Sequence, residues 1–194
     1  AGFTAPMVEP GAYTAKLKIG TKEYNIPLTT VHDSTNTKFS AEDRAVQYKA
    51  AMELYHMHED LYALVEKIND EQKMLKEHID STKNLKTKKL LAEYNTKLET
   101  LRSTLLATKH KSIFADEKKL REEISAVYNS VCYQECKPSN LQLNRITVLK
   151  EEEKKSAENY KALNTEYAAK VKEAIDKDQA IKDYKPSVSR SGGN

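Results

Sequence analysis

No glycine occurs between Gly20 and Gly192, and from Leu28 to Lys185 the only proline is Pro138. So long a stretch without chain breakers, rich in alanine, leucine, glutamate and lysine, is the composition of long helices. Residues 1–30 have the opposite texture, with Pro6, Pro10, Gly11, Gly20 and Pro27 punctuating short alternating apolar runs. The expected fold class is mostly α: an elongated antiparallel helical bundle or coiled coil preceded by a small β-hairpin element. The hairpin element is assigned to 1–33, the bundle to 40–182 and a disordered tail to 183–194, where Ser, Gly, Arg and Asn dominate.

In the first part, Pro10-Gly11 marks a turn, after which Tyr13, Ala15, Leu17 and Ile19 alternate with Thr14, Lys16 and Lys18. Gly20-Thr21-Lys22 reverses the chain, and Tyr24, Ile26 and Leu28 alternate with Glu23 and Asn25. The result is a hairpin with one apolar face, whose second strand has an outward edge near Pro27. A lone two-stranded hairpin is marginal in water, so the face needs cover. Either the hairpin packs on the bundle, with residues 3–8 available as a third strand, or it is the remnant of a sandwich-like domain whose other strands lie upstream.

In the second part, Ser40 caps a helix over 41–80 with Glu42 and Asp43 in its first turn. Ala50, Leu54, Met57, Leu61, Leu64, Ile68, Leu75 and Ile79 line its seam, with Gln72 filling the expected seam position between Ile68 and Leu75. Residues 81–84 form a polar reversal. A second helix carries Leu90 or Leu91, Tyr94, Leu98, Leu101 and Leu105, then weakens at Lys109-His110-Lys111. Asp116 opens a third, with Leu120, Ile124, Val127 and Val131. Ser139-Asn140-Leu141-Gln142 has capping-box spacing and starts a fourth, lined by Leu141, Ile146, Leu149, Tyr160, Leu163, Tyr167, Val171 and Ile175. The first and fourth helices each run roughly 60 Å, and the second and third placed end to end cover roughly 70 Å. Three long legs with a kinked middle one, plugged by Ile113 and Phe114, fit these lengths; an uneven four-helix bundle is the alternative.

Candidate chemistry is sparse. Cys132 and Cys136 have no histidine within twenty residues and no βαβ context, which disfavours zinc and redox catalysis. They are either a turn-stapling disulfide or two structural thiols. His56 and His58 lie about 200° apart on a helix and chelate one ion poorly, so His58 is expected only as an exposed contact of Glu59 or Tyr62. Carboxylates interleave with lysines as surface charge, and the tyrosines at helical spacing read as seam-edge residues with wet hydroxyls. Lys83, Lys86, Lys88 and Lys89 form a solvated face, and no basic stripe interleaved with aromatics indicates nucleic acid. No apolar run approaches the roughly 20 residues of a membrane span. No catalytic, cofactor-binding or metal-binding residue is expected, and the chain is read as non-enzymatic.

The run from Ala5-Pro6-Met7-Val8-Glu9-Pro10-Gly11-Ala12-Tyr13-Thr14-Ala15-Lys16-Leu17, with Lys22-Glu23-Tyr24, Pro27-Leu28-Thr29 and Asp33, resembles the C-terminal region of bacterial sortilin-like, BNR-repeat β-propeller proteins. There a similar Ig-like hairpin leads into a helical tail. The resemblance implies an exported, periplasmic or secreted protein with a propeller upstream, and it favours the Cys132–Cys136 bridge. The start Ala1-Gly2-Phe3, with neither initiator Met nor signal-peptide pattern, is read as that of a mature or excised piece of something longer. The expected function is that of a non-catalytic structural or protein-interaction module whose partner is the upstream propeller or a second copy. A carbohydrate- or peptide-binding accessory domain, with its site between hairpin and rod, is the alternative.

Overall fold

A computed structural model of the protein describes residues 5–35, 37–107, 118–133 and 136–183. Strands β1 (Gly11–Ile19) and β2 (Lys22–Thr30) form an antiparallel hairpin, and four helices follow: α1 (Ala41–Ser81), α2 (Leu85–Leu105), α3 (Leu120–Cys132) and α4 (Asn140–Asp183). Lys109-His110-Lys111, Ile113 and Phe114 of the expected kink, Asp116 at the expected start of the third helix, and the tail from 184 on lie outside the described residues.

Local chemistry accounts for the element ends. Ser40 Oγ accepts the Asp43 amide while the Asp43 carboxylate accepts the Ser40 amide, a capping box that starts α1. Asn84 caps α2 through the amides of Lys86 and Thr87. Ser139 and Gln142 exchange side-chain and backbone bonds at the start of α4, as their spacing predicts. By contrast, α3 opens at Lys119 without a side-chain cap. In the hairpin, Gly20 takes φ 61° and Thr21 does not join it at positive φ, the pattern of a type II′ turn that only glycine enters cheaply.

Cross-helix bonds fix the arrangement. Arg102 Nε of α2 donates to Asn69 Oδ1 of α1 at 2.9 Å, and Gln47 Nε2 near the start of α1 donates to the Val131 carbonyl at the end of α3 at 2.7 Å. Hence α2 covers the second half of α1, α3 covers the first half, and both run antiparallel to it. Helix α4 runs parallel to α1: Lys150 meets Glu53 at 2.5 Å and Tyr160 meets Glu71 at 2.8 Å. The two shorter helices thus succeed one another along a single middle leg, and the three-leg arrangement holds.

Leu54, Ile68, Leu75, Leu91, Leu98, Leu105, Ile124 and Leu149 are fully buried, with Tyr94, Tyr128 and Val131, in one continuous seam. Between Leu90 and Leu91 it is Leu91 that enters the core; in α3, Tyr128 is buried while Val127 packs at the edge. Leu141 departs from expectation: it is 79% exposed, and Leu143 packs against the core instead. The reason is angular. Five residues before Ile146 lies about 140° round the helix from it, whereas three residues before lies about 60° away.

Neither strand of the hairpin packs on any helix. The expectation of a hairpin folded onto the bundle is therefore not met, and residues 5–9 form no third strand. What holds the hairpin's base is local: the Glu9 carbonyl accepts the hydroxyls of Tyr13 at 2.7 Å and Thr30 at 2.9 Å.

Candidate functional site

The register pairs Tyr13 with Leu28, Ala15 with Ile26 and Leu17 with Tyr24. Side chains directly opposite in an antiparallel pair share a face, so these six, with Ile19, form one apolar surface. It stands in water: Leu17 is 58% exposed, Ile19 61% and Ile26 65%. Met7, Val8 and Val31 extend the exposed apolar surface at the hairpin's base. Large contiguous apolar surface of this kind marks an interaction site more often than a free face. On the other face, Lys16 pairs with Glu23 at 2.9 Å, and Lys18 has no ionic partner among the described residues.

Below the hairpin, a cleft of about 340 Å³ separates residues 5–10 and 30–33 from the first turns of α1. Its walls are Pro6, Met7 and Val8 on one side and Ala45, Tyr48 and Ala51 on the other, with Cys132 reaching it from α3. Aliphatic carbon dominates the walls, and Asp33 and Arg44 stand at its polar margin.

Two polar clusters tie the rod together. The Glu71 carboxylate accepts Tyr94 Oη of α2 at 2.6 Å and, from α4, Tyr160 Oη at 2.8 Å and Asn164 Nδ2 at 2.7 Å. Tyr94 stacks on Tyr167 with centroids 4.8 Å apart, and Tyr167 Oη donates to Glu93 at 2.6 Å. Burial and the Glu71 charge hold the Tyr94 and Tyr160 phenols well above their ordinary range. At the α1–α2 reversal, Asp178 of α4 accepts the hydroxyls of Thr82 and Thr87 and the Asn84 amide, the last at 3.0 Å. Each cluster joins all three legs at one level, so their evident chemistry is fastening.

The residues singled out from sequence are scattered. Cys132 and Cys136 carry free thiols, both half-buried, and burial raises the Cys132 thiol above its usual value. His56 meets Glu59 at 3.0 Å. His58 turns inward edge-on to Tyr128, with ring centroids 5.8 Å apart, and burial lowers its proton affinity. Tyr94, Tyr128 and Tyr167 are buried rather than wet at the hydroxyl end of a seam edge. Lys83, Lys86, Lys88 and Lys89 are exposed. Sequence reasoning passed over Glu153, whose Oε1 is buried without a hydrogen-bond partner; burial and the nearby Asp60 push its carboxyl up to about 7. Among the described residues no group of three or more His, Cys, Asp and Glu could hold a metal, and no helix is long and apolar enough to cross a membrane.

Compared with known proteins, the chain matches no family model, no curated protein and no solved structure.

Proposed function

We propose that the protein is a non-catalytic interaction module: the hairpin docks into a larger β-structure and the three-legged rod carries that attachment away from it. The observation behind this reading is the uncovered apolar face of Tyr13, Leu17, Ile19, Tyr24, Ile26 and Leu28, which makes no contact with the rod. Burying one such side chain is worth about 2 kcal/mol, so six left in water are a standing driving force for association. Two strands of nine residues present a face of roughly 30 by 10 Å, about 300 Å². A stable interface takes about 800 Å² from each partner, so this face closing on a copy of itself is too small to suffice. A partner that also engages the hairpin's edge or base suits the geometry better. If the resemblance to sortilin-like propeller proteins holds, that partner is a β-rich domain upstream of this region in an exported protein.

The cleft at the hairpin's base favours a second reading, a peptide-binding accessory domain. Aliphatic walls with Tyr48 suit an apolar peptide side chain better than a sugar ring, which calls for stacked aromatics.

Photo-crosslinking separates the two. With p-benzoylphenylalanine in place of Ile26, the protein expressed in its own cells should give adducts mapping to strands of a single β-rich polypeptide or segment. The same group in place of Ala45, in the cleft, should give none of them. Adducts from the cleft position alone would favour the second reading, and adducts from neither would refute both.

A further inference from the structure

The hairpin's two free edges are not equivalent, and the difference selects which one takes a further strand. A two-residue loop closes on a hydrogen-bonded pair, here Ile19 and Lys22. Alternation then makes Leu17–Tyr24, Ala15–Ile26 and Tyr13–Leu28 the inward-bonded pairs. The groups of Lys18–Glu23, Lys16–Asn25, Thr14–Pro27 and Ala12–Thr29 point outward. On β1 this leaves four consecutive outward N–H groups, from Ala12, Thr14, Lys16 and Lys18. On β2 the row is broken, because Pro27 falls on an outward position and has no N–H to offer.

We propose that the outer edge of β1 accepts an extended strand from a partner protein, apolar at alternate positions and acidic at the intervening ones. This rests on the reading of the hairpin as a docking element and adds its edge and its partner's chemistry. Residues of an added strand beside Tyr13, Ala15, Leu17 and Ile19 continue the apolar face and are apolar in turn. Those beside Thr14, Lys16 and Lys18 meet two lysines, of which Lys18 has no ionic partner among the described residues, and carboxylates there supply the missing charge. The same lysines argue against a second copy. Pairing β1 with its two-fold mate would gather Lys16, Lys18 and their copies on one face, and lysine on an edge strand is a common device against self-pairing. Main-chain bonds then give affinity and the alternating side chains give selectivity, the usual division in strand addition.

The test uses the whole chain, isotopically labelled, with amide hydrogen exchange read by NMR. The probes are two synthetic nine-residue peptides, one alternating valine with glutamate and the other valine with lysine. The glutamate peptide should slow exchange at Ala12, Thr14, Lys16 and Lys18 at least tenfold, and the lysine peptide should not. Lys16→Pro, which removes an outward donor as Pro27 does on β2, should abolish this protection while Tyr13, Ala15 and Leu17 stay protected by β2. Asn25→Pro, the matching change on the other edge, should leave the effect intact, and Lys18→Glu should weaken the glutamate peptide severalfold. Slowing at Glu23, Asn25 and Thr29 instead would overturn the edge assignment. Equal slowing by both peptides would overturn the acidic partner, and slowing that rises with protein concentration alone would identify a second copy. No slowing at millimolar peptide with an intact hairpin overturns strand addition, while crosslinks through position 26 would still uphold the docking reading.

Discussion

Replacing Glu71 with alanine removes a carboxylate that joins all three legs at one level. Three donors lose their acceptor: the hydroxyls of Tyr94 and Tyr160 and the Asn164 amide. A hydrogen bond to a charged group contributes about 1.5–3 kcal/mol, so three taken singly would sum to roughly 5–9 kcal/mol. The sum is too high, because the bonds share one acceptor and Tyr160 and Asn164 keep some access to water. Tyr94, only 2% exposed, has no such recourse. We expect Glu71→Ala to cost about 3–5 kcal/mol, a large share of a total stability of about 5–15 kcal/mol. At about 3 °C per kcal/mol for a chain of this size, the melting temperature falls by roughly 10–15 °C. Glu71→Gln keeps an acceptor and costs about 1–2 kcal/mol. Urea unfolding followed by circular dichroism measures these differences. A double-mutant cycle with Tyr160→Phe should return a coupling of about 1 kcal/mol or more. A Glu71→Ala protein within 1 kcal/mol of the parent, or strict additivity with Tyr160→Phe, would refute the fastening role.

Glu153 predicts a pH dependence of the opposite sense from a paired carboxylate. Its raised folded-state value of about 7 means that stability is lost as pH rises from about 4.5 and the loss is complete above about 7. The upper bound is about 3 kcal/mol; halved for partial solvation, Glu153→Gln should stabilise by about 1–2 kcal/mol at pH 8 and leave stability at pH 4 unchanged, by urea titration. Asp178→Ala should cost about 2 kcal/mol. It should also speed amide exchange locally, around Thr82–Thr87 and the facing turns of α4, before the rest of the rod. Leu143→Ala should cost about 1–2 kcal/mol and Leu141→Ala less than 0.5, measured in the same urea assay.

Much of this architecture is readable from local rules. The capping box at Ser40, the polar reversal before Leu85 and the glycine turn at Gly20 each follow from residues a few positions apart, and α1 ends within a residue of its expected bound. Helix lengths alone favoured three legs. The interior of the rod was less legible. Gln72 was the expected polar seam residue, yet its amide reaches outward to Glu99 at 3.1 Å, while Glu71 turns in. The signal was present: Glu71 is three residues after Ile68 and four before Leu75, the same face as both. It was passed over because glutamate on a lysine-rich helix is surface charge by default. Tyr160 and Tyr167, seven apart, were a second hint of donors aimed inward. The free-standing hairpin was beyond reach for another reason: periodicity shows that a face is apolar but not what lies against it.

The middle leg, made of α2 and α3 in succession beside two uninterrupted helices, gives the rod the character of a splint with one spliced stave. Bending forces at that level pass through α1 and α4, so the splice itself is under little demand to keep a fixed length. Because α1 and α4 run unbroken past the level where α2 gives way to α3, they set the length of the shaft, and a tag or second module grafted between Leu105 and Leu120 would not shorten its reach.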